Sequence, residues 1–253
     1  MNLITRRECV SAGLLTLVFA TVPNCACAAA TVTEGCLLSD DQFERIHRSD
    51  ARAEIYKTGE EPIIPTSPDQ TFDRALARTA AYLSDKFEVF PGFGYYDDVA
   101  CYTAYATTRS RMGHADGTVL MGLGLLGTLR KLEEHPEVAV AAVCAHEWGH
   151  VLQFKYGLID RVNQGRPTKL RSELQADFFA GYFAGLRKKE RPSFPAVIVA
   201  TTLRLLGGDK PTSHGSFEQR GAAAVRGFEC AFREEKILSD AISESTRYVM
   251  TIA

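Results

Sequence analysis

The sequence lacks the features that mark membrane, nucleic-acid-binding and zinc-knuckle proteins. It contains no run of about 18 consecutive apolar residues, so we expect no membrane-spanning segment in the mature chain. The formal net charge is only −2, which leaves no basic surface to attract a nucleic acid. The seven cysteines include no pair separated by two residues, which excludes a structural zinc knuckle.

The first thirty residues have the pattern of a signal peptide. Arg6 and Arg7 precede an apolar stretch over residues 10–22, and small residues over 24–30 offer two possible cleavage sites. This order of basic, apolar and small residues is typical of exported proteins. We therefore expect a signal peptide over residues 1–30 and export to the periplasm or to the outside of the cell.

The remaining residues, 31–253, are expected to form one domain. The whole chain has 253 residues and a hydrophobic content of 45%, which is enough for one full core. Two other export routes stay open. The paired arginines half-match a twin-arginine signal, and Cys25 or Cys27 could carry a lipid anchor.

Four cysteines remain after the expected cleavage, and they allow three complete disulfide pairings. They are Cys36, Cys101, Cys144 and Cys230. The sequence does not choose among the pairings. Cys144, two residues before a histidine, could be a nucleophile, but its apolar surroundings favour a small packed side chain or half of a disulfide.

Two histidines four residues apart, with a glutamate directly after the first, are the most specific pattern in the chain. His146 and His150 would project from one face of a helix, where both imidazoles could bind one Zn²⁺. Glu147 would lie about 100° further round the helix, placed to take a proton from the water that zinc activates. The pattern predicts a zinc site with its general base. The alternative is a helix whose histidines are held by core partners.

A second pair with the same spacing follows in the next predicted helix. Glu173 could complete a ligand set of two histidines and one glutamate, leaving a fourth position open as in catalytic zinc sites. Asp177 is predicted to accept the ring N–H of a zinc-bound histidine and so to fix its tautomer. For both residues the alternative is an acid on a solvated helix face.

Three sequence blocks together resemble one bacterial family. They are AHEWGHVLQ at 145–153, SELQADFFAG at 172–181 and SHGSFEQR at 213–220. In all three the chain resembles the bacterial neutral zinc metallopeptidases. The first two also resemble the wider gluzincin group, in which a glutamate on the following helix is the third zinc ligand. The resemblance implies a zincin-like peptidase domain, although the doubled histidine usual in the family is here His150 followed by Val151.

Periodicity and capping signals predict a mainly α fold with a small β component, that is, an α+β domain. The predicted helices lie at residues 39–57, 68–87, 136–157, 169–189, 195–206 and 217–234. Between them we expect a turn-rich aromatic loop at 91–98 and a short β-hairpin within 101–123. The tail from residue 237 stays unassigned.

The second hairpin strand is the candidate site for an extended substrate. Peptidases of this type bind the substrate main chain along a sheet edge beside the metal helix. The predicted edge consists of Thr118, Val119, Leu120 and Met121. Residues 122–127 also spell G-x-G-x-x-G, but the acidic residue expected about 20 positions later is in effect Glu147 and no βαβ series surrounds it, so we reject a dinucleotide site.

The third block offers donors for the oxyanion that forms during acyl transfer. His214 and Arg220 are the candidates, because His214 precedes a capping signature at Ser216 and Gln219 and so lies at a helix start from which a loop can reach the cleft. The alternative is a block that only caps a helix and braces a loop. Four tyrosines between residues 95 and 105 are weaker candidates and are expected in the core or at its rim. They are Tyr95, Tyr96, Tyr102 and Tyr105.

These patterns predict a zinc-dependent endopeptidase that acts on a peptide or protein substrate, with Zn²⁺ as its cofactor and no nucleic-acid partner. The alternative is a zinc-binding interaction protein of the cell envelope with little or no turnover. An intact Glu147 favours the enzyme. Neither the substrate sequence nor the oligomeric state can be derived from these residues.

Overall fold

The computed structural model describes residues 37–38, 61–98, 102–114, 116–206 and 214–252. Within these ranges the chain forms eight helices and one small sheet, which confirms the predicted mainly α, α+β fold. The elements are β1 (Leu37–Leu38), α1 (Gln70–Phe87), β2 (Gly92–Tyr96), β3 (Ala104–Thr107), β4 (Thr118–Gly122), α2 (Leu123–Leu129), α3 (Pro136–Lys155), α4 (Leu158–Asn163), α5 (Leu170–Glu190), α6 (Val197–Leu205), α7 (Phe217–Phe232) and α8 (Leu238–Met250). None of these helices is both long and apolar enough to cross a membrane. The predicted signal peptide, the predicted helix at 39–57, Cys36 and Cys101 lie outside the described residues.

The sheet has the strand order β1-β3-β4-β2. β3 and β4 pair antiparallel, as the predicted hairpin requires, and β4 also pairs parallel with β2. The prediction of a loop at 91–98 is therefore wrong, because Gly92–Tyr96 is a strand. The glycines of this strand do not form a turn but leave space for neighbouring side chains. A Cβ on Gly94 would lie 2.6 Å from Ile63 Cγ2 and 2.9 Å from Met112 Cε.

The predicted sheet edge is also wrong. Its four residues, Thr118, Val119, Leu120 and Met121, lie in β4, which has β3 on one side and β2 on the other. All four are fully buried. The added strand β2 causes the difference, since it occupies the side of β4 that would otherwise be free. Beyond β2, the N–H of Ile64 donates to the carbonyl of Tyr95 at 2.7 Å and that of Tyr95 donates back at 2.9 Å.

α3 runs through the middle of the core. Pro136 stands in its first turn, where the missing N–H costs nothing, and Gly157 follows its end with a φ of 60°. Every residue from 138 to 153 is buried, because the helix is packed by α1, α2, α4, α5, α6 and the sheet. The polar side chains of α3 must therefore find their partners inside the protein.

α5 and α7 pack backbone against backbone. A Cβ on Gly181 of α5 would lie 1.8 Å from the carbonyl oxygen of Ala224, and a Cβ on Gly227 of α7 would lie 1.8 Å from that of Phe178. Only glycine permits an approach this close. The contact holds the first turns of α7 against the part of α5 that carries the acidic pair at 173 and 177.

The N-terminus of α2 is filled by a side chain of the protein itself. The carboxylate of Asp98 accepts the N–H groups of Gly124 at 2.7 Å and Leu125 at 3.0 Å. These are the donors that a phosphate would use in a dinucleotide site. A Cβ on Gly122 would lie 2.1 Å from Asp98 Oδ2, so the glycines of G-x-G-x-x-G serve this internal contact.

The helices differ from the sequence prediction in four places, because α2 and α4 were not predicted and α1 and the tail also differ. α1 begins at Gln70 and not at residue 68, because Asp69 is its N-cap: Asp69 Oδ1 accepts the N–H groups of Thr71 and Phe72, both at 3.0 Å. Pro68 consequently precedes the helix. The unassigned tail forms α8, which packs on α4, α5 and α7.

We predict that Gly227→Ala destabilises the fold and Gly221→Ala, in the same helix, does not. The first change forces α5 and α7 apart and should cost about 1–3 kcal/mol, the usual range for overpacking. At Gly221 the nearest atom to an added Cβ is 3.6 Å away, so alanine should be neutral or stabilising by up to about 1 kcal/mol. Urea unfolding of both variants measures the difference. Equal stabilities would contradict the close packing.

Candidate metal centre

The helices that carry the predicted ligands meet at Gly149. α3 presents His146 and His150 one turn apart, and α5 presents Glu173 towards them. A Cβ on Gly149 would lie 3.1 Å from Ala176 Cα and 3.2 Å from its carbonyl oxygen. Glycine within the first sequence block therefore lets the two backbones touch where the ligands converge.

The three predicted ligands form one buried cluster. His146 Nε2 lies 3.1 Å from His150 Nε2 and 3.5 Å from Glu173 Oε2, and His150 Nε2 lies 3.7 Å from the same oxygen. Ligands at about 2.0–2.1 Å from a tetrahedral zinc are about 3.3 Å apart. Two imidazoles and a carboxylate at this spacing fit three corners of a zinc site.

The electrostatics keep Glu173 ionised. Burial by itself would raise its pKa, but interactions with His150 and His146 outweigh burial and hold the pKa well below its ordinary value. An ionised carboxylate is the form that binds a metal. The alternative of a solvated acid is wrong for Glu173, which has no exposed surface.

Asp177 links His146 to Arg220. One oxygen lies 2.8 Å from His146 Nδ1, and the two oxygens accept the Nη2 and Nε donors of Arg220, each at 2.8 Å. Burial would raise the pKa of Asp177, but Arg220 and His146 lower it. Because an ionised Asp177 can only accept, His146 Nδ1 must donate, which leaves Nε2 for the metal. The solvated alternative is wrong here too, since Asp177 is fully buried.

His150 has a neutral partner that sequence reasoning missed. Its Nδ1 lies 2.8 Å from Gln153 Oε1, and Gln153 Nε2 donates to Gln175 Oε1 at 2.9 Å. Both glutamines are fully buried within helices of the core. The available sequence signal was a glutamine three residues after His150 in an otherwise apolar turn.

Glu147 and Cys144 flank His146 on α3. Glu147 is 1% exposed, so it is a core residue next to the ligand cluster and not a surface acid. Cys144 is a buried free thiol, whose pKa is raised first by burial and then by the charge of Glu147. A nucleophilic role for Cys144 is therefore wrong, because the thiolate is disfavoured. Cys230 is also free, so within the part of the chain that the structure describes the two cysteines form no disulfide.

His214 lies beside the cluster. Burial raises the pKa of Glu173, and the charge of His214 is one of the interactions that offset burial. The next residue packs on the start of α5, since a Cβ on Gly215 would lie 3.0 Å from Leu174 Cδ2 and 3.2 Å from Leu170 Cδ1. His214 itself is half-buried. The predicted capping box that follows it, with Ser216 as N-cap, is present.

The other candidates for the oxyanion are placed elsewhere. Arg220 is buried, and its donors are directed at Asp177 and at the carbonyl of Leu206, so its candidacy as an oxyanion donor is wrong. Three of the tyrosines are core residues, as expected, and their hydroxyls donate to other partners. Those of Tyr95, Tyr96 and Tyr105 donate to Asp73, to the carbonyl of Thr103 and to Glu61. Tyr102 is 40% exposed.

Comparison with known families agrees with this geometry. The model of the family described as "Putative neutral zinc metallopeptidase" matches residues 66–203, more than half of the chain. The matched region contains α3 and α5 with all three candidate ligands. His214, Arg220 and α8 lie beyond it. No curated protein and no solved structure matches the chain.

We predict that the purified protein binds one zinc ion and that Glu173→Ala abolishes stoichiometric binding. Removing the carboxylate leaves two imidazoles, too few for a stable site. Glu190→Ala is the matched control, because Glu190 ends the same helix with an exposed side chain. Elemental analysis after dialysis against a chelator measures the content. Full zinc in Glu173→Ala would contradict the ligand assignment.

Proposed function

The chain belongs to the family described as "Putative neutral zinc metallopeptidase", and we propose that it is a zinc-dependent endopeptidase. His146, His150 and Glu173 would hold the metal through Nε2, Nε2 and Oε2. When bound, Zn²⁺ supplies a Lewis acid that polarises the substrate carbonyl and lowers the pKa of a water to about 7. The buried pair Asp177 and Gln153 would keep the two imidazoles in the tautomer that binds.

The position of Glu147 carries the proposal. It directly follows His146 on the buried face of α3, and its charge contributes, after burial, to the raised pKa of Cys144. A carboxylate at this position can take a proton from the attacking water and deliver it to the nitrogen of the leaving amine. A site that only stored zinc would have no need of a buried carboxylate beside its ligands, since such a charge is costly to bury.

We propose that His214 supports the reaction from the loop that precedes α7. It precedes α7 in a turn packed on α5, and it is close enough to Glu173 to influence its pKa alongside burial. A ring N–H there can donate to the oxygen that becomes negative in the transition state. Half-burial leaves this ring accessible to a substrate.

We also propose that the enzyme works outside the cytoplasm on peptides or proteins. The pattern of residues 1–30 supports export, and the peptidase family supports the class of substrate. The burial of β4 argues against substrate pairing there. β2 and β1 are the two strands at the ends of the sheet order, and β2 is partly covered by Ile64, so an extended substrate would pair at one of these two sides.

We predict that Glu147→Gln retains zinc and fold but loses nearly all hydrolysis. Glutamine has the same shape yet cannot accept the proton of the water, and loss of a general base typically costs about 10²–10⁴-fold. Glu137→Gln is the control, since Glu137 is exposed at the start of the same helix. Cleavage of a peptide library, followed by kcat on one product, measures the effect. Unchanged kcat would exclude the general base, and a wild-type protein that cleaves no peptide would favour the zinc-binding alternative.

We predict that His214→Ala lowers kcat by about 10²–10³-fold with little change in KM, as expected for a lost oxyanion donor. Zinc content should stay at the wild-type value, because His214 is not among the three ligands. Glu218→Ala, an exposed change in the first turn of α7, serves as the control. A wild-type kcat in His214→Ala would leave this residue with only a role in its loop.

A further inference from the structure

A chain of buried hydrogen bonds connects His150 to the last helix, α8. From His150 it passes to Gln153, then from Gln153 Nε2 to Gln175 Oε1 at 2.9 Å. Gln175 Nε2 in turn donates to Ser245 Oγ and Thr246 Oγ1, both at 3.1 Å. We name Gln153, Gln175, Ser245 and Thr246 the polar relay. Three of the four are fully buried and Thr246 is 7% exposed, so water has little access to replace any link.

At α8 the relay ends on two hydroxyls. Ser245 Oγ donates to the carbonyl of Ile242 at 2.9 Å, and Thr246 Oγ1 donates to the same carbonyl at 2.8 Å. With their protons on that carbonyl, both hydroxyls accept from Gln175. Gln175 then turns its amide nitrogen to α8 and its oxygen to Gln153.

A second carbonyl fixes Gln153. Its Nε2 donates to the carbonyl of Ser172 at 2.8 Å as well as to Gln175 Oε1. A reversed Gln153 amide would set its oxygen against both of these oxygens, with no proton between them. Gln153 Oε1 must therefore face His150, and His150 Nδ1 must carry the proton. The lone pair of His150 is then on Nε2, which faces His146 and Glu173.

We propose that the polar relay is a positioning device that commits His150 to the tautomer able to bind zinc, and that α8 is thereby part of the metal centre. The proposal rests on the proposed function only in taking His150 as a zinc ligand. It extends the site beyond the residues matched by the family model, which end at 203, whereas α8 begins at Leu238.

The two ligand histidines differ in a way that makes the relay necessary. His146 faces the ionised Asp177, which has no proton to give and enforces the tautomer alone. His150 faces a neutral amide, which could present either its oxygen or its nitrogen. The carbonyl of Ser172 decides which one it presents, and the hydroxyls of α8 hold Gln175 in the matching orientation.

The test compares three relay variants of the mature chain: Gln153→Met, Gln175→Met, and Ser245→Ala with Thr246→Val. Ser243→Ala is the matched control, because its hydroxyl also donates to a carbonyl one turn back in α8, that of Ser239 at 3.1 Å, but is exposed and makes no bond to Gln175. Zinc affinity is measured by competition with a chromogenic chelator. The tautomer of His150 is read from ¹⁵N NMR of the zinc-free protein, and thermal unfolding reports folding.

We expect Gln153→Met to weaken zinc binding by about 10–100-fold, the usual effect of losing a residue that orients a ligand. Gln175→Met and the α8 variant should weaken it less, because Gln153 keeps the Ser172 carbonyl, and all three should show a mixture of His150 tautomers. If Gln153→Met does not fold, the other two variants decide. Wild-type affinity and tautomer in those two, or an equal loss in Ser243→Ala, would overturn the proposal. No peptide is used, so a failure of peptidase activity stays a separate result.

Discussion

The close approach of α5 to both α3 and α7 is the constraint on which the site depends. Gly149 lets α3 touch α5 at Ala176, and Gly181 with Gly227 lets α7 touch α5 on another side. The first contact brings Glu173 to the two histidines, and the second brings the start of α7 to Asp177. A methyl group at either contact would separate backbones that must stay within van der Waals distance, so the ligand geometry follows from packing of the smallest residue.

This packing places several charges where water cannot reach, and two of them, Asp177 and Glu173, are balanced by partners inside the protein. Asp177 is balanced by a two-bond contact with Arg220, which explains why an arginine in the third sequence block is buried. Glu173 is balanced by the imidazoles, whose influence overcomes the effect of burial on its pKa. A buried carboxylate without such partners would be neutralised or would unfold the site. The electrostatic arrangement therefore has a structural role even before a metal binds.

The candidate metal ligands were the easiest residues to predict, and the residues and strands that surround them were the hardest. Two residues four positions apart in one helix lie on the same face of that helix. The candidate ligand pair on α3 and the acidic pair on α5 could therefore be predicted from the local sequence. The strand β2 could not, because its glycines look like a turn until Ile63 and Met112 are seen packed on them. Residues 118–121 were accordingly assigned to an edge although their strand, β4, is central. Arg220 was a candidate oxyanion donor because its contact with Asp177, 43 positions earlier, cannot be derived from the sequence.

By itself the sequence determined the mainly helical class of the fold, the three candidate ligands and the candidate general base, because those depend on contacts within one or two turns. The tertiary structure alone decided the order of the strands, the partner of Arg220 and the path from His150 through Gln153 and Gln175 to α8. Those relations join residues tens of positions apart, and they arise only when the backbones of separate elements pack closely enough to exclude water. Burial then makes every polar group find a protein partner, and which partner it finds is a property of the packed fold.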